Sequence, residues 1–159
     1  MKYLNTMITF SEFPDEIALC INITNCPFHC FGCHSPELWK DIGTKLTKEE
    51  LSKLIESNKG ITCIGFMGGN PEEVNSLAEY IKDINHSLKV GWYWGGEVFP
   101  KEINLINFNY IKLGPYIKEL GGLDNPNTNQ RMYFNWWDEE DKVVHCLNIT
   151  NKFWKHGEQ

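Results

Sequence analysis

Cys26, Cys30 and Cys33 stand close together in the segment Asn25-Cys-Pro-Phe-His-Cys-Phe-Gly-Cys-His34. Three thiolates on one short loop can converge on a single metal centre. A cubane 4Fe-4S cluster usually takes four cysteines, so a three-cysteine set leaves one iron open. An open iron on a strongly reducing cluster can hold and reduce a substrate, whereas a sealed cluster only carries electrons. A second candidate contact is Gly68-Gly69-Asn70-Pro71. Glycines let the backbone approach a ligand closely, and an Asn or main-chain carbonyl accepts a hydrogen bond from an ammonium group. The same four residues also read as a tight strand-to-helix turn, with Asn70 as the cap and Pro71 in the first turn.

Other readings of the cysteines stay open. Cys26, Cys30 and Cys33 with His29 or His34 could form a Cys3His zinc site, although zinc sites usually pair two short knuckles. A disulfide staple is disfavoured in a chain that starts Met1-Lys-Tyr-Leu-Asn-Thr-Met without a secretory signal. That start, and the absence of about 18 consecutive apolar residues, give the expectation of a cytoplasmic protein with no membrane span. Cys20, Cys63 and Cys146 each lie in an apolar, β-branched segment, where a free thiol packs as a small hydrophobe. If one of them instead supplied a fourth ligand, the cluster would be closed.

The elements that must position these loops follow from patterning. A chain of 159 residues, 42% hydrophobic and 23% charged, is expected to be a single domain over 1–159 with its own core. The net charge of −6 and the absence of a basic stripe argue against a nucleic-acid partner. Strands are predicted at 17–24, 61–67, 89–94 and 108–113, with a closing hairpin at 132–137 and 142–149. Thr47 and Glu50 have capping-box spacing ahead of a helix over 47–56. A second helix starts at Pro71, and a short one is expected near 97–106. The stretch 121–130 reads as one long loop and the tail from 151 to 159 as frayed.

Strands alternating with helices predict an α/β fold with a mostly parallel sheet. A closed eight-unit barrel takes about 250 residues, so this chain is expected to form a partial, open (β/α) barrel. Such a sheet opens at the carboxyl ends of its strands, where ligands usually bind. Both distinctive loops follow a predicted strand and fall at that edge. Trp136 and Trp137 read either as core aromatics or as a docking surface. Tyr116 and Arg131 suit surface packing and a salt bridge as well as a ligand or partner contact.

The C-x3-C-x2-C run resembles the motif of the radical S-adenosylmethionine (SAM) superfamily. The longer stretch Asn25–Trp39 resembles the anaerobic ribonucleoside-triphosphate reductase activating proteins, in which Gly commonly precedes the last cysteine. Gly91–Gly95, Lys112–Tyr116 and Asn129–Arg131 extend that resemblance. It implies an open barrel of the radical SAM type, with Cys26, Cys30 and Cys33 holding a 4Fe-4S cluster that has one open iron. It also implies SAM contacts from Gly32, Cys33, His34, Gly68, Gly69 and Asn70. By the same resemblance, the reduced cluster cleaves SAM to methionine and a 5'-deoxyadenosyl radical, which takes a hydrogen atom from a glycine of the anaerobic reductase. The implied partners are the large subunit of that reductase and an electron donor such as flavodoxin. A small-molecule radical SAM enzyme and a zinc-stabilised partner-binding module are the alternatives. Two departures stand out: Asn70 occupies a usually acidic position, where a neutral acceptor holds an ammonium less strongly, and Gly32 replaces the aromatic residue many members carry.

Overall fold

Residues 1–154 are described by a computed structural model. Helix α1 (Lys48–Ser57) begins where Thr47 accepts a hydrogen bond from the Glu50 amide at 3.1 Å. Only that half of the capping box forms, because the Glu50 carboxylate accepts from the Tyr3 hydroxyl at 2.6 Å instead. Helix α2 (Pro71–Ile84) begins where the Asn70 side chain accepts from the amides of Glu72 and Glu73. Its apolar positions Val74, Leu77, Ala78 and Ile81 are buried, while Ile84 at the end is exposed.

Eight strands form one sheet: β1 (Lys2–Thr9), β2 (Ala18–Ile23), β3 (Thr44–Lys45), β4 (Cys63–Met67), β5 (Lys89–Tyr93), β6 (Tyr110–Leu113), β7 (Arg131–Asp138) and β8 (Val143–Asn148). Their order is β3-β1-β2-β4-β5-β6-β7-β8. The central quartet β2-β4-β5-β6 is parallel. The four outer pairings, β3 with β1, β1 with β2, β6 with β7 and β7 with β8, are antiparallel. The sheet is therefore mixed and not mostly parallel. The expectation erred because β1, absent from the sequence reading, joins β2 as an antiparallel neighbour, and the predicted hairpin adds two more antiparallel pairings at the other side.

The helix expected near 97–106 is reduced to a 3-10 turn over Leu105–Asn107. Pro100 has no amide to donate and pushes Phe99 out of helical geometry. The predicted frayed tail is also partly ordered. Thr150–Phe153 forms a 3-10 turn, and Phe153 packs against buried residues; residues 155–159 lie outside the described residues.

Alternation along the strands divides the two faces. Leu19, Ile21, Ile64, Phe66, Val90, Trp92 and Ile111 share one core with Leu51, Val74, Leu77 and Ile81 of the helices. The opposite face carries Ala18, Cys20, Cys63 and Tyr110 with Phe13, Leu123, Met132 and Ile149, so loops rather than helices cover it. Phe13 lies against Gly65 and Gly91, where an added Cβ would fall 2.5 Å and 2.2 Å from its ring atoms. No helix among the described residues is long and apolar enough to cross a membrane.

Candidate metal and cofactor centre

Because β2, β4, β5 and β6 run the same way, the segments that follow them emerge at one edge. The cysteine loop follows β2, Gly68-Gly69 follows β4, Trp94-Gly95 follows β5, and Gly114-Pro115-Tyr116 follows β6. They enclose a cavity of about 240 Å³ lined by Cys26, Cys30, Cys33, Gly68, Gly69 and Tyr116, among others. Its floor is one row of the sheet on the loop-covered face. Asn22, Met67, Tyr93 and Lys112 are aligned in register across the four parallel strands, and all four line the cavity.

The cysteine loop is held in shape by its own backbone and by aromatic contacts. Asn25, His29 and Gly32 all adopt positive φ, and at the two non-glycine positions this costs on the order of 1 kcal/mol each. The Cys26 amide donates to Leu38 O and the Cys33 amide to Cys30 O, both at 3.0 Å. The His29 ring stacks on Trp39 with centroids 4.9 Å apart, and Phe28 meets Trp94 edge-on at 4.8 Å. These contacts leave Cys26, Cys30 and Cys33 half-buried on the wall of the cavity, and the Ser35 amide donates to Cys33 Sγ at 3.4 Å.

The other predicted positions divide. Gly68 and Gly69 line the same cavity as the cysteines, with φ of 101° and 104°. A Cβ on Gly69 would fall 2.7 Å from Val74 Cγ2 and 3.0 Å from Met1 Sδ, so the turn admits no larger residue without displacement. The Gly68 carbonyl accepts from Trp92 Nε1 at 2.9 Å and keeps its second lone pair. Asn70 lies in the adjoining cavity with Thr24 and Glu73, and its side-chain oxygen is engaged in capping α2. Gly32 faces Lys118. His34 packs against Tyr116, centroids 4.9 Å apart, behind the cavity lining.

Cys20 and Cys63 are buried on the loop-covered face, as a packing role requires. Burial pushes the Cys20 thiol up to about 12 and raises that of Cys63 as well, as expected of thiols packed among apolar side chains. Cys146 is exposed on the outer strand β8, so its expected place in the core is wrong. Trp136 and Trp137 are partly exposed on β7 rather than core residues. Arg131 forms no ion pair among the described residues; its guanidinium donates to Thr128 O and Gln130 O.

Among the described residues, the set of three metal-binding side chains gathered within 4.8 Å is Asp138, Asp141 and His145. That set belongs to the β7–β8 turn, where Asp138 accepts from the Glu140 and Asp141 amides. Cys26, Cys30 and Cys33 line one cavity instead, all from a single loop. The donor set, soft thiolates in a largely apolar pocket, fits an iron-sulfur cluster.

Lys112 was not recognised as a site residue from the sequence. It is a cationic side chain only 7% exposed on the cavity floor. Its ammonium donates to Gly114 O at 2.9 Å and sits 5.3 Å from the centre of the Tyr93 ring. Desolvation lowers it to about 8 from its usual 10.5, opposed by Cys30, Cys26 and Cys33 and, least, by Glu12. The signal in the sequence is a lysine inside the apolar segment Tyr110-Ile-Lys-Leu113; its alignment with Tyr93 comes from the strand register.

Residues 17–109 match the family model described as a 4Fe-4S single cluster domain. This stretch covers more than half of the chain, from the entry to β2 through the cysteine loop and the glycine turn to the threshold of β6. No similar curated protein and no similar solved structure was found.

Proposed function

Since the chain belongs to the 4Fe-4S single cluster domain family, we propose that it is a radical SAM activase of an anaerobic ribonucleoside-triphosphate reductase. The observation that carries this reading is the meeting of three cysteines from one loop with a glycine turn in a single cavity. Cys26, Cys30 and Cys33 are the protein ligands, and the missing fourth cysteine leaves a corner for substrate. A 4Fe-4S cluster held by these cysteines would supply the electron for cleaving SAM to methionine and a 5'-deoxyadenosyl radical, the species that would take a hydrogen atom from a glycine of the reductase.

The residues of the chain bind, orient and exclude water. Gly68 and Gly69 bring backbone close to the SAM amino group, with the second lone pair of the Gly68 carbonyl as one acceptor. Met67, Tyr93 and Trp94 give the pocket apolar walls that keep a reactive intermediate from solvent. Gly32 and His34 support the loop from outside the cavity, and Asn70 acts mainly by fixing the start of α2. The parallel quartet with its cavity at the carboxyl ends supports reading this part of the sheet as the wall of an open (β/α) barrel of the radical SAM type. A large reductase subunit is the partner, with a flavodoxin-like donor supplying electrons in the cytoplasm.

Anaerobic reconstitution with iron and sulfide, reduction and assay for 5'-deoxyadenosine test this reading. Formation of 5'-deoxyadenosine from SAM is expected, and a reduced, intact cluster that leaves SAM unchanged overturns it.

A further inference from the structure

We propose that Lys112 is the counter-cation of the cluster and raises its reduction potential by stabilising the electron-rich state. This inference rests on the cluster reading above, with Cys26, Cys30 and Cys33 as ligands. Lys112 lines the cavity together with these three cysteines. Its ammonium is buried and has a carbonyl and an aromatic ring as its neighbours, and it forms no ion pair with a carboxylate among the described residues. A buried charge without a partner is costly, so its place in the fold calls for a negative group in the same cavity. Cys26, Cys30 and Cys33, which line that cavity with it, are where a cluster would bring the negative charge.

Reduction brings one electron into the cluster from an external reductant, here dithionite, and neither forms nor breaks a bond. With three thiolate ligands the oxidised cubane is singly negative and the reduced one doubly negative. A fixed positive charge in a poorly solvated pocket favours the second state over the first, since net charge and solvent exposure are among the determinants of cluster potential. The backbone and ring contacts hold the ammonium in place, so little reorganisation accompanies electron entry.

The test is a redox titration of the reconstituted protein without SAM, followed by electron paramagnetic resonance, on wild type, Lys112→Met, Lys112→Gln and Lys112→Arg. Lys112→Gln keeps a donor for Gly114 O and loses the charge, while Lys112→Arg keeps the charge. Both neutral variants are expected to show an about tenfold smaller reduced-to-oxidised ratio at a fixed poise, a drop of about 59 mV for a one-electron couple, and Lys112→Arg to remain near wild type. Clusters lost from both neutral variants but retained in Lys112→Arg also support the role of charge; loss from Lys112→Arg as well overturns it in favour of shape. Iron and sulfide content separates the two levels of the argument. A wild-type chain that takes up neither ends the cluster reading and this inference with it, whereas intact clusters of equal potential in wild type and both neutral variants overturn the inference alone.

Discussion

The two ends of the four parallel strands treat buried charge in opposite ways. At the amino ends, Glu16 before β2 is buried and fully partnered. Thr62 before β4 donates to it at 2.6 Å, Tyr110 at the head of β6 donates at 2.9 Å, and Lys89 at the head of β5 forms an ion pair with it. Each parallel strand thus contributes one member to a closed network. At the carboxyl ends, the buried cation Lys112 meets a carbonyl and a ring, and three thiols share its cavity. A satisfied network fixes structure, whereas a buried cation without a carboxylate partner in a cavity that also holds three thiols marks a candidate functional end. The contrast separates the end of the sheet that holds the fold from the end that carries the cysteine cavity.

The largest effect should come from the receiving end. Replacing Cys26, Cys30 or Cys33 by Ala is expected to abolish cluster iron, while Cys20→Ala, Cys63→Ala and Cys146→Ala retain it, as metal analysis after anaerobic reconstitution reads directly. Equal loss from Cys20→Ala or Cys63→Ala in a folded chain would make the buried sheet thiols ligands and erase the distinction.

At the other end, Glu16→Ala removes the shared acceptor of Thr62, Lys89 and Tyr110. A destabilisation of about 3 kcal/mol is expected in urea unfolding, smaller than for a fully enclosed pair because the Lys89 side chain is 42% exposed. A change under about 0.5 kcal/mol, the range of ordinary surface substitutions, breaks the structural half of the comparison.

Lys112 should behave in the opposite sense. Held at about 8 rather than 10.5, it costs the folded, cluster-free chain on the order of 3 kcal/mol while charged. Between these two values the unfolded chain binds more protons than the folded one, so this cost is full below about pH 8 and fades as pH rises towards 10.5. Lys112→Met gives up the bond to Gly114 O, worth about 1 kcal/mol, and should stabilise the cluster-free chain by on the order of 2 kcal/mol at pH 7. The gain should disappear above pH 10.5 in denaturation at the two pH values. A destabilised variant at pH 7 would mean that Lys112 is already compensated.

The smallest effect belongs to the junction. Asn70→Ala removes the cap of α2 and should cost about 1 kcal/mol in thermal unfolding, whereas Asn70→Asp should differ by only a few tenths. If Asn70→Ala also abolishes SAM binding in a cluster-loaded protein, the side chain does more than cap.

Local signals in the sequence carried the cysteine loop, the glycine turn, both helices and the parallel strands, because each has punctuation within a few residues: Thr47, Asn70-Pro71, and apolar runs such as Cys63–Met67. β1 was missed because most of its residues are exposed or partly exposed, so no buried alternation marks it, and its pairing with β2 is set by tertiary context. The same lack of long-range information misplaced Cys146, whose apolar neighbours suggested a core strand although β8 lies at the sheet edge. Lys112 escaped because a lone lysine in a strand gains meaning only once register places it beside Tyr93 and the fold puts it in the lining of the cysteine cavity. Asn70 was legible as a cap, and its position in the adjoining cavity became visible only in three dimensions.

The central claim is a cluster tied to the protein by three cysteines, with its fourth corner open to the cavity. Electron paramagnetic resonance of the reduced, reconstituted protein with and without SAM examines that corner directly. A SAM-dependent change in the cluster signal is the predicted result; an intact reduced cluster whose spectrum is identical under saturating SAM would contradict the account.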